Sequence, residues 1–215
     1  MAPKPPIHPD SPELARLAEE GRVVAYFGYG SLVNPRTLRT KFLAIRRAEA
    51  KGWQRFWQPR DPAAEMALLS VHPHAAESIH GVVVYDLADH LPSVDEREAG
   101  YNRQVIDPDA LTIEDAPLPG VPVYIYEASP GASDAAEMGS AILQSYLDAV
   151  MQGFRDLYGD DGLKRFVERT EGFETRLLRD RSAPRYPRSV PLEAGEAELF
   201  DSLVDARGAH AIELS

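Results

Sequence analysis

An apolar run that stops at two glycines constrains the fold of this chain most. It is the segment VVAYFGYGSL, residues 23–32. β-Branched and aromatic residues favour a strand from about Val23 to Phe27, and Gly28 and Gly30 favour a tight turn directly after it. The sequence therefore predicts a strand followed by a loop whose backbone N–H groups are accessible.

The residues after this turn exclude three common motifs. A dinucleotide-binding GxGxxG motif would need a small residue where Val33 stands, and Asn34-Pro35 places the next helix start too late to meet a phosphate. No GK(S/T) follows, as a P-loop requires, and Leu32 and Val33 replace the second glycine of a GxSxG nucleophile elbow. Two interpretations remain: a loop that binds a carboxylate or stabilises an oxyanion, and a turn in which the glycines are purely structural.

Composition limits the classes of partner and of chemistry. With 215 residues, 44% of them hydrophobic, the chain is large enough to bury the core of one domain. A net charge of −11 disfavours nucleic acid and anionic membranes as partners. The absence of cysteine excludes a disulfide, a thiolate nucleophile and a cysteine-ligated metal. No signal-like or membrane-spanning apolar stretch is present, so we expect a soluble, cytoplasmic protein.

The remaining patterns predict mostly strands and then mostly helices, which favours the α+β class. Predicted strands lie near residues 66–72, 79–87 and 121–127, where β-branched and aromatic residues are frequent. The segment 179–191 is rich in proline and is predicted to lack regular structure. The predicted helices lie at residues 11–21 with Ser11 as N-cap, from Asn34 to about Phe42, from Asp134 to Leu157 with Gly159 closing the run, and from Gly162 to Arg169.

The segment YFGYGSL, residues 26–32, resembles the signature loop of the γ-glutamylcyclotransferase-like (AIG2-like) superfamily. In that family this loop binds the γ-glutamyl portion of the substrate. The resemblance therefore implies that Tyr29, Gly30, Ser31 and Leu32 form a substrate-binding loop.

Two further segments are similar to motifs of this family. LPSVDEREAGY, residues 91–101, is similar to the segment that carries the general acid/base glutamate. On that match the catalytic residue is Glu98, and Ala99 separates it from the glycine of the motif. QSYLDAVMQGF, residues 144–154, resembles a late segment with a pocket tyrosine, which would be Tyr146.

The resemblance implies a small mixed β-barrel with flanking helices and a cavity where the glycine loop and Glu98 meet. We also expect a division of the chain into three parts. These are an N-terminal arm with a short helix at 1–21, the γ-glutamylcyclotransferase-like domain at 22–160, and a helical or extended C-terminal extension at 161–215 packed on the same domain.

The reaction implied by the resemblance is the cyclisation of a γ-glutamyl group to 5-oxoproline. The substrate's own α-amine attacks its γ-carbonyl and expels an amine, an amino acid or a dipeptide. Neither a protein nucleophile nor a metal or other cofactor is required, and ring closure gains from proximity. Glu98 would move the proton as general acid/base, and N–H groups of residues 30–32 would bind the α-carboxylate or the oxyanion.

The residues alone leave other interpretations open. The acidic run DERE, residues 95–98, is also typical of a solvated helix face. Asp95 could tune Glu98 by like-charge repulsion, or be the catalytic carboxylate in its place. Tyr101 and Tyr146 suit core packing as well as ligand binding.

Two sets of basic residues lie outside the family motifs. The arginines of segment 179–188 form a basic patch in an acidic chain. They suit either a pocket wall that selects an anionic leaving group, with Arg185 as the candidate binding residue, or an arm that neutralises the acidic surface. For His72, His74 and His80 a solvated hairpin loop is a simpler interpretation than a metal site, because no motif such as HExxH accompanies them.

We therefore expect an enzyme that cyclises a small γ-glutamyl substrate. The alternative is a catalytically silent module of the same fold that binds a small carboxylate or a partner, and a third hypothesis is the same chemistry on a γ-glutamylamine or a biosynthetic intermediate. Catalysis requires that Glu98 faces the glycine loop, whereas in a silent module it would point to solvent. The sequence leaves the substrate and the oligomeric state open.

Overall fold

A mixed β-sheet with helices packed against it forms the protein in a computed structural model, which describes residues 7–38, 41–59, 65–114 and 118–213. The α+β class expected from the sequence is confirmed. The α-helices of the described part are α1 (Leu14–Glu19), α2 (Leu91–Arg97), α3 (Ala135–Met138), α4 (Gln144–Glu168) and α5 (Glu196–Asp205). Its strands are β1 (Val23–Gly28), β2 (Ala44–Pro59), β3 (Met66–Leu87), β4 (Tyr101–Val105), β5 (Leu111–Ile113), β6 (Val123–Ala128), β7 (Ala141–Leu143), β8 (Thr170–Glu171), β9 (Arg176–Arg179) and β10 (His210–Glu213).

The long strand β3 organises the sheet. Along one edge it pairs antiparallel with β2 over nearly the whole length of that strand. On the other edge, β1 pairs with residues 82–87, and β7 pairs with Met66 and Ala67. In the described chain, the edge of β3 between these two pairings has no strand partner, which leaves a gap for loops.

Strand direction decides which loops enter this gap. β1 runs antiparallel to β3 and β7 runs parallel to it, so the C-terminal ends of β1 and β7 point toward each other across the gap. The glycine loop that follows Gly28 and the α4 N-terminus that follows Leu143 therefore enter it from opposite sides. The sheet order is β10-β9-β7-β3-β1-β6-β4, and β5 and β8 pair with β2.

Helix α4 and strand β2 share an aromatic core. Phe154 and Phe166 stack at 4.5 Å between ring centroids, one on each side of the helix break at Gly159. The guanidinium of the buried Arg55 lies 5.0 Å and 5.1 Å from these two rings and donates to the His80 carbonyl at 2.7 Å. The rings and the carbonyl together offset the cost of burying this cation.

The C-terminal helix joins the same core. Phe200 and Val204 of α5 are buried in the apolar cluster that contains Phe154. Within the described ranges, the helices lack the combination of length and apolar character that crossing a membrane requires.

The helix predicted to begin at Asp134 begins only at Gln144. The residues between them form the short α3, which ends at Gly139 with a φ of 65°, and then β7. Pairing of β7 with β3 and β9 outweighs the helical preference of this alanine-containing stretch. The predicted end at Gly159 coincides with a real interruption, where φ is 71° and ψ is −174°, after which α4 continues to Glu168.

The helix predicted from Asn34 to about Phe42 is wrong over the described residues. The chain makes a single 3₁₀ turn at Pro35–Thr37, and residues 39–40 lie outside the described part. The capping role of Asn34 does hold, since its side chain accepts a hydrogen bond from the Arg36 amide.

Two features of the β2–β3 hairpin differ from the sequence expectation. The predicted strands 66–72 and 79–87 are one continuous strand, so His72 and His74 lie on β3 rather than in a hairpin loop. β2 is not predicted from the sequence, because its buried Arg47 and Arg55 interrupt the apolar alternation expected of a strand.

The break in α4 predicts the behaviour of a substitution at residue 159. A Cβ at this position would meet no atom within 4 Å, so Gly159→Ala tests backbone strain without a steric clash. The observed φ and ψ are accessible mainly to glycine, and we expect a loss of about 1–3 kcal/mol in the free energy of unfolding. Urea denaturation measures it, with the exposed Lys164→Ala of the same helix as control; equal stability of the two variants would contradict the strain.

Candidate active site

A cavity of about 340 Å³ lies in the gap beside β3. Five separate parts of the chain contribute to its wall, in addition to β3 itself. The wall brings together most of the residues that sequence reasoning proposed for a site: Tyr29, Gly30, Ser31 and Leu32 of the glycine loop, Glu98 and Tyr101 after α2, Tyr146 of α4, and Arg185 of the segment after β9.

Both glycines of the loop are required by close packing. A Cβ at residue 28 would lie 2.6 Å from the Leu32 Cβ. A Cβ at residue 30 would lie 3.0 Å from the hydroxyl oxygen of Tyr146, so the backbone at Gly30 is in direct reach of that hydroxyl. The absence of side chains thus allows the loop to fold tightly and α4 to approach it.

The hydrogen bonding of the loop leaves N–H groups without acceptors. The carbonyl of Gly30 accepts from the Val33 amide, and the carbonyl of Ser31 accepts from Asn34 N and from the Thr37 hydroxyl. Within the described chain, the amides of Ser31 and Leu32 have no such partner, as is usual for the first positions of a helical turn. The loop therefore offers hydrogen-bond donors beside the cavity, which suits an anionic group.

Asn34 fixes the loop to α4, a role that sequence reasoning missed. It is 0% exposed, and its side-chain amide donates to the Ala149 carbonyl at 2.9 Å and to Gln152 Oε1 at 3.1 Å. Gly153 allows this approach, because a Cβ there would lie 2.8 Å from the Asn34 amide nitrogen. The Asn-Pro pair had indicated a cap alone; the second function depends on a helix far away in the sequence.

Glu98 reaches the cavity because α2 ends there. The helix ends at Arg97, and Gly100 with a φ of 100° turns the chain into β4. The Tyr101 amide donates to the Glu98 carbonyl at 3.0 Å and closes this turn. Glu98, half-buried, and Tyr101 consequently share the cavity wall with the glycine loop.

Asp95 lies elsewhere, although it is only one helical turn away. Its carboxylate accepts from the Tyr126 hydroxyl at 2.6 Å and from Arg103 Nη1 at 2.5 Å. Burial, followed by the hydrogen bond to Asp95, raises the pKa of Tyr126. Asp95 thus holds Tyr126, which is itself part of the cavity wall, while the carboxylate of Asp95 is not.

Tyr29 and Tyr146 of the wall are neutral hydrogen-bonding groups at physiological pH. Burial raises the pKa of Tyr29 well above its usual value, and the nearby Tyr101 and Glu98 raise it further. Burial likewise raises the pKa of Tyr146, which is 6% exposed. The Tyr29 hydroxyl donates to the Tyr126 carbonyl at 2.6 Å, which fixes that side chain against β6.

The segment after β9 lacks regular structure, as predicted, and its residues 185–188 form one side of the cavity. Within this segment the Arg181 guanidinium pairs with Asp148 at 2.7 Å and with Asp201 at 2.8 Å. These two ion pairs join the segment to α4 and α5.

His72 and His80 pack against aromatic rings. His80 stacks on Tyr158 at 4.7 Å, and His72 packs edge-on against Phe56 at 5.2 Å. Across the described ranges, no three histidine, aspartate or glutamate side chains are grouped closely enough to hold a metal ion.

Comparison with known proteins gives matches in structure alone. The sequence matches no protein-family model, and no curated protein is significantly similar to it. YkqA from Bacillus subtilis has a TM-score of 0.51 and 14% identity, over 71% of this chain and 56% of that one. A γ-glutamyl cyclotransferase has a TM-score of 0.47 and 14% identity, over 84% and 99% of the two chains. A γ-glutamyl cyclotransferase specific to glutathione from yeast has a TM-score of 0.41 and 15% identity, over 88% and 98%.

Of these three structures, YkqA has a TM-score above 0.5, and this likeness shows that the two chains share a fold. At such low identities the likeness concerns the fold alone, because one fold supports many activities. The activity of this chain must therefore be argued from the residues of its own cavity.

The contact between Gly153 and the loop predicts the effect of adding one methyl group. Gly→Ala inside a helix otherwise stabilises a protein by about 1 kcal/mol. In Gly153→Ala the new Cβ would collide with Asn34 and Val33, so we expect a net loss of about 1–3 kcal/mol in the free energy of unfolding. Urea denaturation measures the change, with the exposed Asp161→Ala as control, and a stabilised Gly153→Ala would contradict the described packing.

Proposed function

We propose that the protein cyclises the γ-glutamyl group of a small substrate to 5-oxoproline and releases the attached amine, amino acid or dipeptide. One observation carries the proposal: a carboxylate residue, Glu98, and a loop with N–H donors, residues 29–32, line a single cavity. This reaction needs a proton carrier and an oxyanion site, and needs no protein nucleophile.

The chemistry balances with Glu98 as the only acid/base group. The α-ammonium of the substrate gives a proton to the Glu98 carboxylate, and the freed amine attacks the γ-carbonyl carbon. A new C–N bond closes the five-membered ring, and the original amide C–N bond breaks. The proton held by Glu98 passes to the departing nitrogen. The second proton that the ring nitrogen must lose then passes through the same carboxylate to the released amine, which leaves as an ammonium ion, so no water, oxidant or cofactor is consumed.

The loop and the tyrosines would bind and orient the substrate. Amides of Ser31 and Leu32 are suited to the α-carboxylate or to the oxyanion that forms on the γ-carbonyl oxygen. The hydroxyl of Tyr146, next to Gly30, adds a neutral donor that stays protonated because its pKa is raised. Holding the γ-glutamyl chain in a folded conformation brings the amine to the carbonyl and supplies much of the rate gain.

The position of Glu98 favours an enzyme over a silent binding module. A silent module has no need of an acid/base group beside its ligand, and Glu98 could then face solvent. Its place in the cavity wall with the glycine loop is the arrangement that proton transfer requires.

Glu98→Gln tests the proposal, because the amide keeps the shape of the side chain and cannot carry the proton. We expect kcat/KM for 5-oxoproline release to fall by about 10²-fold or more. The assay uses glutathione, γ-glutamyl-alanine and a γ-glutamylamine as substrates, with circular dichroism to verify the fold.

Glu96→Gln is the matched control, since Glu96 is an exposed carboxylate of the same helix outside the cavity wall. This variant should keep most of the activity of the wild type. Full activity of Glu98→Gln, or an equal loss of activity in Glu96→Gln, would contradict the assignment of Glu98.

A further inference from the structure

The segment 185–188 gives the cavity a positive side. Arg185 and Arg188 both belong to the wall, as does the acidic Glu98. In a chain with a net charge of −11, two arginines in the wall of one cavity are a local reversal of charge. Such a reversal is suited to an anionic ligand group.

The backbone of this segment is fixed by buried hydrogen bonds. Asp180, 0% exposed, accepts from the Ser145 amide at 2.7 Å, from the Ser145 hydroxyl at 2.6 Å and from the Arg185 amide at 2.9 Å. The Tyr186 amide donates to the Ser145 hydroxyl oxygen at 3.2 Å. Arg185 and Tyr186 are therefore held at the N-terminus of α4 rather than displayed on a loose arm.

The arginines of this segment differ in whether they form ion pairs. Arg181 is neutralised by Asp148 and Asp201, and serves to attach the segment. Arg185 and Arg188, in contrast, form no ion pair with a carboxylate of the described chain. The Arg188 guanidinium lies over the Tyr186 ring, 5.5 Å from its centroid, which restricts its position.

Tyr186 lines the cavity together with the two arginines. The residue is only 7% exposed, and its ring is held between Tyr146 and the Arg188 guanidinium. A buried ring in this position fixes the charge of Arg188 in the cavity wall.

The rings of Tyr146 and Tyr186 lie between the glycine loop and Arg188, which indicates the end of a substrate that Arg188 would contact. The hydroxyl of Tyr146 lies against Gly30, and its ring packs edge-on against Tyr186, with 5.0 Å between the centroids. Arg188 lies on Tyr186 in turn. Arg188 is thus separated from the glycine loop by two rings. The leaving group would occupy this part of the cavity if the γ-glutamyl group bound to the loop.

We propose that Arg185, Tyr186 and Arg188 form a subsite for a carboxylate on the leaving group. The inference rests on the proposed function and narrows it. The preferred substrates are γ-glutamyl amino acids or peptides with a free C-terminal carboxylate, and γ-glutamylamines, whose leaving group has no carboxylate, are poor substrates.

The experiment compares substrates that differ in this carboxylate alone. Release of 5-oxoproline is measured from γ-glutamyl-alanine and from γ-glutamyl-alanine amide, with the wild type and with the double variant Arg185→Gln/Arg188→Gln. Arg179→Gln is the matched control, because Arg179 is an exposed arginine of β9 outside the cavity wall.

We expect the wild type to prefer the free acid by about tenfold in kcat/KM, as two solvent-accessible charge contacts would provide. The double variant should lose this preference through a higher KM for the acid, with its kinetics on the amide unchanged. Arg179→Gln should behave as the wild type. Equal use of acid and amide by the wild type, or an equal loss on both substrates in the double variant, would overturn the subsite.

A binding measurement separates failure of the subsite from failure of the proposed function. If no substrate is turned over, the cyclisation proposal fails, and calorimetric titration of the wild type with the same acid and amide still tests the subsite. Tighter binding of the acid that depends on the two arginines supports the subsite. Binding without that preference, or no binding of either compound, overturns it.

Discussion

The close approach of the glycine loop to α4 is the constraint on which the candidate site depends. It requires two positions without side chains, since Gly30 faces the Tyr146 hydroxyl and Gly153 faces the Asn34 backbone. Once the loop is pressed against the helix, Asn34 bonds to α4 and the loop carbonyls are satisfied internally. The donors that remain are the N–H groups beside the cavity, so one packing contact produces both a rigid loop and its binding capacity.

The sheet creates the space in which this contact forms. β1 and β7 pair with opposite ends of the same edge of β3 and point toward each other, which leaves part of that edge to loops. Glu98 arrives from α2, and residues 185–188 arrive from the segment pinned by Asp180. The cavity wall therefore combines an acidic residue, Glu98, with two arginines that come from a distant part of the chain.

Local sequence predicted the parts of this arrangement that depend on few neighbours. The strand and glycine turn before Gly30, the helix break at Gly159 and the α+β class follow from propensity and pattern. The motif match had grouped Glu98, Tyr146 and the glycine loop, and the structure places all of them in one cavity wall. β2 could not be predicted, because its Arg55 is buried against two α4 rings and interrupts the apolar alternation of a strand. Part of a predicted helix is instead β7, because these residues pair with β3. The roles of Asp95 and Glu98 could not be distinguished from the sequence, because they depend on the bonds of Asp95 to Tyr126 and Arg103.

Amide chemical shifts of the glycine loop report directly on whether its N–H groups bind the substrate. A ¹H–¹⁵N spectrum of the Glu98→Gln variant, saturated with γ-glutamyl-alanine, reports on each N–H group while the substrate stays intact. The account predicts downfield shifts of the Ser31 and Leu32 amide protons, because a carboxylate or carbonyl oxygen of the substrate accepts from them. Unchanged Ser31 and Leu32 signals at saturating substrate would contradict it, whether or not signals elsewhere in the chain respond.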